Sequence, residues 1–315
     1  MLRTAYRPLA HRHYIPVQGF RVRLQSSGSV AAFLPSRVNA PTTLPPPLVL
    51  PEARKPEEYR LKYAYKVGKS YLQFYKTGFK QILGNRKTAK LIRARHVDDP
   101  ILRSIPGTNV DHKTGQLITA AHGHDKLTRA EFQFIKRHAK DIKKVPVFAV
   151  LLAIFGEWLP LFVIFLDPLI PGTVLLPVQV SKRRRKANKA TEGSVTITPH
   201  RIRGDLEGAG IHDRAQLVRV AKQFSLLGPI SQFFTDSAIL SRIRRHEQYL
   251  RTDDTLLRRD LTLPIDTILE PEETDDNNTL TVNELELAIE ERGLWTDEQS
   301  KEQRAKLLNA WLEKE

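Results

Sequence analysis

The chain contains no cysteine, which excludes disulfides, thiolate metal sites and cysteine nucleophiles. It also has no Asp or Glu before Glu52, while Arg3, Arg7, Arg12, Arg21, Arg23 and Arg37 punctuate that stretch. An Arg-rich, Ser-containing, acid-free N-terminus has the composition of an organelle transit peptide, a cationic segment drawn inward by a potential negative inside. No uninterrupted apolar run long enough for a secretory signal follows the first arginines. Arg23-Leu24-Gln25-Ser26-Ser27 is the expected processing neighbourhood. Pro41, Pro45, Pro46, Pro47, Pro51 and Pro56 then predict a stiff, extended linker with little fold of its own. Residues 1–50 are therefore read as a mitochondrial transit peptide and a Pro-rich linker.

Acidic residues are scarce well beyond that leader. The net charge is +15, but residues 1–200 hold 34 Lys/Arg against 12 Asp/Glu, whereas residues 201–315 hold 16 against 23. A basic domain built for DNA is thus not the reading of the C-terminal third. Nucleotide loops, nucleophile elbows and paired catalytic carboxylates are missing as well. The sequence predicts a protein that is not an enzyme and carries no cofactor or metal. His112, His122, His124 and Asp125 match no structural-zinc spacing. The run Asp275–Glu286 mimics a calcium loop but has Leu280 where the sharp turn requires glycine.

One long apolar run is present. Val145–Leu166 is 22 residues with a single charge, Glu157, and fifteen of the 22 are Leu, Ile, Val or Phe. A helix of that length spans roughly 33 Å, enough for a bilayer core. The summed apolar gain of several kcal/mol exceeds the roughly 2.5–3.5 kcal/mol cost of one central charge. The expectation is a transmembrane helix, kinked at Pro160, with Glu157 facing a partner, a cavity or an ion path. Lys140, Lys143 and Lys144 precede it, and Lys182, Arg183, Arg184, Arg185 and Lys186 follow as juxtamembrane anchors. Residues 167–200 read as a Pro-rich exit, with a hairpin or re-entrant course as the alternative, and a basic linker.

The remaining patterns are helical. Residues 57–144 read as basic amphipathic helices with an inserted loop at 97–126. Within them Tyr63, Val67, Tyr71, Phe74 and Phe79 recur near a helical period, interrupted by Gly68, Gly78 and Gly84. Thr128/Glu131 and Thr281/Glu284 have capping-box spacing. Residues 201–315 predict a helical domain whose core stripes are Leu217/Val220/Ala221/Phe224, Ile239/Leu240/Ile243 and Leu285/Ala288/Ile289. Gly293 stops the third of these helices, and Ala305–Leu312 supplies a closing one. Arg242, Arg244, Arg245, Arg251, Arg258 and Arg259 form a cluster suited to RNA phosphate, or alternatively a solvated helix face.

Three blocks of this pattern resemble the LETM family of mitochondrial inner-membrane proteins. They are Leu127-Thr128-Arg129-Ala130-Glu131 running into Val145-Pro146-Val147-Phe148, Glu157-Trp158-Leu159-Pro160 with Pro168 and Pro171, and Leu280 to Glu284 through Gly293 to Trp311-Leu312. The resemblance implies an all-α protein of the inner membrane, with a C-terminal ribosome-binding-like, 14-3-3-like domain in the matrix. It also implies binding to mitochondrial ribosomes, support of membrane-protein biogenesis, and ion homeostasis. The rival expectation is a potassium/proton or calcium/proton antiporter using Glu157. Inner-membrane lipids, insertase or respiratory-chain proteins and further copies of the chain are the other expected partners, and DNA is not among them.

Overall fold

The computed structural model describes residues 36–103, 105, 126–156, 169–191, 199–207, 213–228, 233–261, 279–294 and 299–313. The regular elements there are helices: α1 Arg60–Arg95, α2 Pro100–Arg103, α3 Arg129–Phe155, α4 Pro177–Thr191, α5 Pro199–Glu207, α6 Arg214–Gln223, α7 Asp236–Asp260, α8 Val282–Glu291 and α9 Lys301–Leu312. The all-α expectation is met.

Local chemistry explains where these helices begin and end. Thr128 caps α3 in a complete capping box with Glu131, as the spacing predicts. Ser300 and Gln303 form a second one at the start of α9. At α8 the Thr281 hydroxyl accepts from Glu284 N, but the Glu284 carboxylate is drawn away to Arg137. Gly293 follows α8 with φ 69°, a left-handed turn that glycine adopts without strain.

Helix α1 runs unbroken through Gly68, Gly78 and Gly84, although their spacing predicts interruptions. Gly78 has a packing reason. A Cβ there would collide with the Val174 side chain and approach the Thr173 carbonyl to 3.2 Å. Helices α1 and α3 lie antiparallel, with Arg95 paired to Glu131 at 2.9 Å at one end. At the other, Tyr75 and Phe79 pack their rings against Phe148. The Asp141 carboxylate pins the turn beside them, accepting from Gly172 N at 2.6 Å and Thr173 N at 3.0 Å.

Two apolar cores result. The smaller joins Phe74, Tyr75, Ile82 and Phe148 to Ile170 and Val174–Leu176. The larger gathers Ile92, Phe132 and Ile135 with the stripes of α6, α7, α8 and α9, and Trp311 is 1 % exposed within it. Residues 36–43 also enter this core, where linker composition predicts an extended segment. Val38 and Ala40 are fully buried, and Asn39 donates to Thr279 O at 2.6 Å and accepts from Thr281 N at 3.1 Å.

The expected transmembrane helix is corrected. Among the described residues no helix is long and apolar enough to cross a membrane. The first sixteen residues of α3 precede Val145, and the turns around Arg129–Ile135 lie in the larger core among charged partners. Its described apolar part, Val145–Phe155, is about 16 Å long, half of a bilayer core. Glu157, Pro160 and the rest of the predicted span lie outside the described residues, as does most of the 97–126 loop with His112, His122, His124 and Asp125.

Candidate functional site

Helix α3 has two chemically distinct halves. Its first turns sit in a buried ion network. Arg129, with no exposed surface, donates through Nε to Asp253 Oδ1 at 2.8 Å and through Nη1 to Val38 O at 2.9 Å. Arg292 closes the other side, bonding Asp253 at 2.9 Å and Asp254 at 3.1 Å. Arg137 donates to Glu284 at 2.8 Å, and the Trp311 indole donates to Asp254 at 3.0 Å. Gln133 ties Asp253 at 2.7 Å to the Tyr249 hydroxyl at 2.8 Å, and that hydroxyl donates to Glu291.

Around Asp253, Asp254 and Glu284 stand the guanidiniums of Arg129, Arg137 and Arg292 and, 3.6 Å from Asp254, that of Arg203. Burial alone would raise the Asp253 pKa, but Arg129 and Arg292 hold it well below the usual carboxylate range. Burial is likewise overcome at Glu291, where Lys136 and Lys140 bring the carboxyl down to about 2. His246 goes the other way: burial, then Lys136, lower it to about 4, so it is neutral at physiological pH. Fully paired buried charges of this kind hold elements in register. The network joins the 36–43 segment, α3, α5, α7, α8 and α9. Among the described residues no group of three His, Asp or Glu is placed to hold a metal.

One side of the second half of α3 faces outward, the other packing on the smaller core through Phe148. Lys143, Val147, Val150 and Ile154 follow helical spacing on its exposed side, opposite Phe148. Val147 is 44 % exposed, Val150 57 % and Ile154 69 %. Exposed Leu169 adjoins the same helix, because Lys144 Nζ donates to Ile170 O at 2.9 Å. Lys140 and Lys143 stay exposed one to two turns before the apolar residues. The arrangement is an apolar tip behind a cationic collar, suited to a lipid–water interface.

The sequence-predicted basic residues are distributed differently from their spacing. Arg242 lies 4.3 Å over the Phe234 ring and donates to Leu226 O at 3.2 Å. Arg251 pairs with Glu247 at 2.8 Å, Arg258 donates to Leu312 O, and Arg259 pairs with Asp260 at 2.8 Å. Only Arg244 and Arg245 of that cluster are exposed without a partner among the described residues. Lys182, Arg183, Arg184, Arg185 and Lys186 lie on α4, where Arg184 bridges to Glu286 at 3.0 Å and to Glu290.

Arg129, Asp253, Asp254 and Arg292 are the residues that sequence reasoning missed. A signal was available. Ile239, Ile243, His246, Leu250, Asp253, Leu257 and Asp260 continue one stripe along α7, so two aspartates occupy core positions and require buried partners.

The comparisons overturn the LETM resemblance. A family model described as the pentamidine resistance factor domain matches residues 52–262, about two thirds of the chain. No curated protein and no solved structure matches. The blocks behind the resemblance were generic: a capping box, a Leu-Pro turn and a glycine-stopped helix recur wherever helices start, turn and stop. With that resemblance go the ribosome-binding and ion-homeostasis functions and the antiport through Glu157. The 14-3-3-like arrangement was implied by it alone. The chain belongs to the pentamidine resistance factor domain family.

Proposed function

We propose that this is a mitochondrial, non-enzymatic helical protein that docks on the matrix-side surface of the inner membrane and acts in pentamidine resistance. The observation that carries the docking is the outward apolar end of α3, with Val147, Val150 and Ile154 exposed behind Lys140 and Lys143. The acid-free arginine leader supports import into the matrix, and the inner membrane is the bilayer that bounds that compartment. The contribution to pentamidine resistance rests on the family description.

The energetics suit reversible attachment. Fully burying a Val or Ile side chain is worth about 1.5–3 kcal/mol, and roughly half of each remains to be buried here, so three residues contribute about 3 kcal/mol. The neighbouring lysines add attraction to anionic headgroups. The test is flotation of the full chain with phospholipid vesicles. The parent should float, and Val150→Asp/Ile154→Asp should stay at the bottom with unchanged helicity. A parent that does not float refutes the docking. Cells lacking the protein should change in pentamidine sensitivity, and unchanged sensitivity would refute that part of the reading.

A further inference from the structure

We propose that the outward face of α1 is an electrostatic docking surface for anionic phospholipid. This rests on the reading above that the protein works at a membrane surface and adds the lipid class, on a face of α1 that points away from the exposed side of α3. Lys62, Lys66, Lys69, Lys76, Lys80, Lys87 and Lys90 are all exposed on α1. Their spacing, completed by exposed Gln73 and Leu83, alternates three and four residues, a period that keeps them on one side of the helix while winding by about 80° from end to end. At 1.5 Å per residue the stripe is about 42 Å long. No Asp or Glu occurs from residue 59 to residue 97. Within the stripe Lys66 makes an ion pair, with Glu58 at 2.7 Å, and the other lysines have none among the described residues.

The orientation of the stripe is fixed by packing. Tyr75, Gly78, Ile82, Ala89 and Ile92 occupy the opposite side of α1, buried against the rest of the protein. Turning the lysines inward would expose that core. Lysines three and four residues apart repel one another, so the row costs the isolated helix stability. A counter-charge from outside offsets the cost.

The shape of the row favours a bilayer over a nucleic acid. A row held to one side of a rigid helix, on long flexible stems, can meet a plane over most of its length. A duplex laid across it meets it over little more than a groove width, about 12 Å. The stripe is made of lysines, flexible-stemmed point charges, not of the arginine forks that grip individual phosphates bidentately. Leu61 and Tyr65 are exposed along its flank, at 86 % and 59 %, and Leu83 within it, at 44 %. Those are side chains that settle among headgroups beside snorkelling lysines.

The experiment is flotation of the full chain with vesicles of phosphatidylcholine alone and of phosphatidylcholine mixed with an anionic phospholipid, across a salt series. The variant is Lys76→Gln/Lys80→Gln/Lys87→Gln/Lys90→Gln. Because α1 keeps its buried face, circular dichroism should not change. Each lysine near an anionic surface contributes about five-fold in binding, so four together should remove two to three orders of magnitude on anionic vesicles. Binding to neutral vesicles should stay that of the parent, and the parent's anionic preference should fade with salt.

A four-Gln variant that keeps the parent's anionic preference overturns the proposal. So does loss of affinity for single- or double-stranded RNA with lipid binding unaltered, which would assign the stripe to nucleic acid. The two membrane readings fail separately. Val150→Asp/Ile154→Asp floating as the parent refutes the apolar contact and leaves the stripe standing.

Discussion

Replacing Asp253 by Asn removes one negative charge from a fully enclosed cluster and little else. The side chain is 0 % exposed and lies between the guanidiniums of Arg129 and Arg292, at 2.8 and 2.9 Å. Asn keeps the size and one acceptor, but leaves Arg129, Arg137, Arg203 and Arg292 facing two carboxylates. Breaking a buried ion pair by removing one partner costs about 3–5 kcal/mol, a large share of the roughly 5–15 kcal/mol that holds a typical domain. Urea unfolding followed by circular dichroism would read this as a lower midpoint with an unchanged slope. Adding Arg292→Gln to Asp253→Asn restores the parent's net charge in the cluster, so the double variant should lose less than the sum of the singles, by more than about 1 kcal/mol. An Asp253→Asn protein within about 1 kcal/mol of the parent would refute the closed network.

Further outcomes follow from the same packing. Asn39→Ala should destabilise the chain by about 1–3 kcal/mol, because Thr279 O and Thr281 N lose their buried partner. Trimming the N-terminus past Thr43 should cost more than trimming to residue 30, as measured by thermal unfolding of the two fragments. Gly78→Val should cost at least the roughly 1–3 kcal/mol of an overpacked core, through collision with Val174. His246 sets a pH dependence. Its folded pKa of about 4 lies below the ordinary value of 6.5, so the unfolded chain takes up the proton first. Stability should therefore fall as pH drops from 6.5 towards 4, by up to about 3 kcal/mol, and His246→Asn should flatten that slope in a urea series at stepped pH.

Much of the helical architecture was legible because it obeys local rules. The Thr128 capping box, the stop at Gly293 and the stripes of α6, α7 and α8 depend on residues within a few turns of one another. What the sequence hid depends on distant partners. Asn39, Arg129, Asp253 and Glu284 are ordinary polar residues until the chain brings partners together across separations of 124 to 240 residues. The 36–43 segment looked like a linker because its hold on the core is largely backbone carbonyls and amides, which leave no composition signal. Arg251 and Arg259 looked available because their partners, Glu247 and Asp260, lie on the same helix. Apolar length alone predicted a membrane span, yet α3 also carries the polar turns that anchor it in the core.

The central claim is that the second half of α3 meets lipid. The absence of cysteine from the chain makes single-site labelling direct. A polarity-sensitive fluorophore on Ile154→Cys, where the parent side chain is 69 % exposed, should shift to shorter wavelength when anionic vesicles are added. The same label on Thr255→Cys, exposed on α7 two residues from the Asp253 that pairs with Arg129 at the start of α3, should not respond. A label at position 154 that reports water with and without vesicles, under conditions where the protein floats with them, would contradict the account.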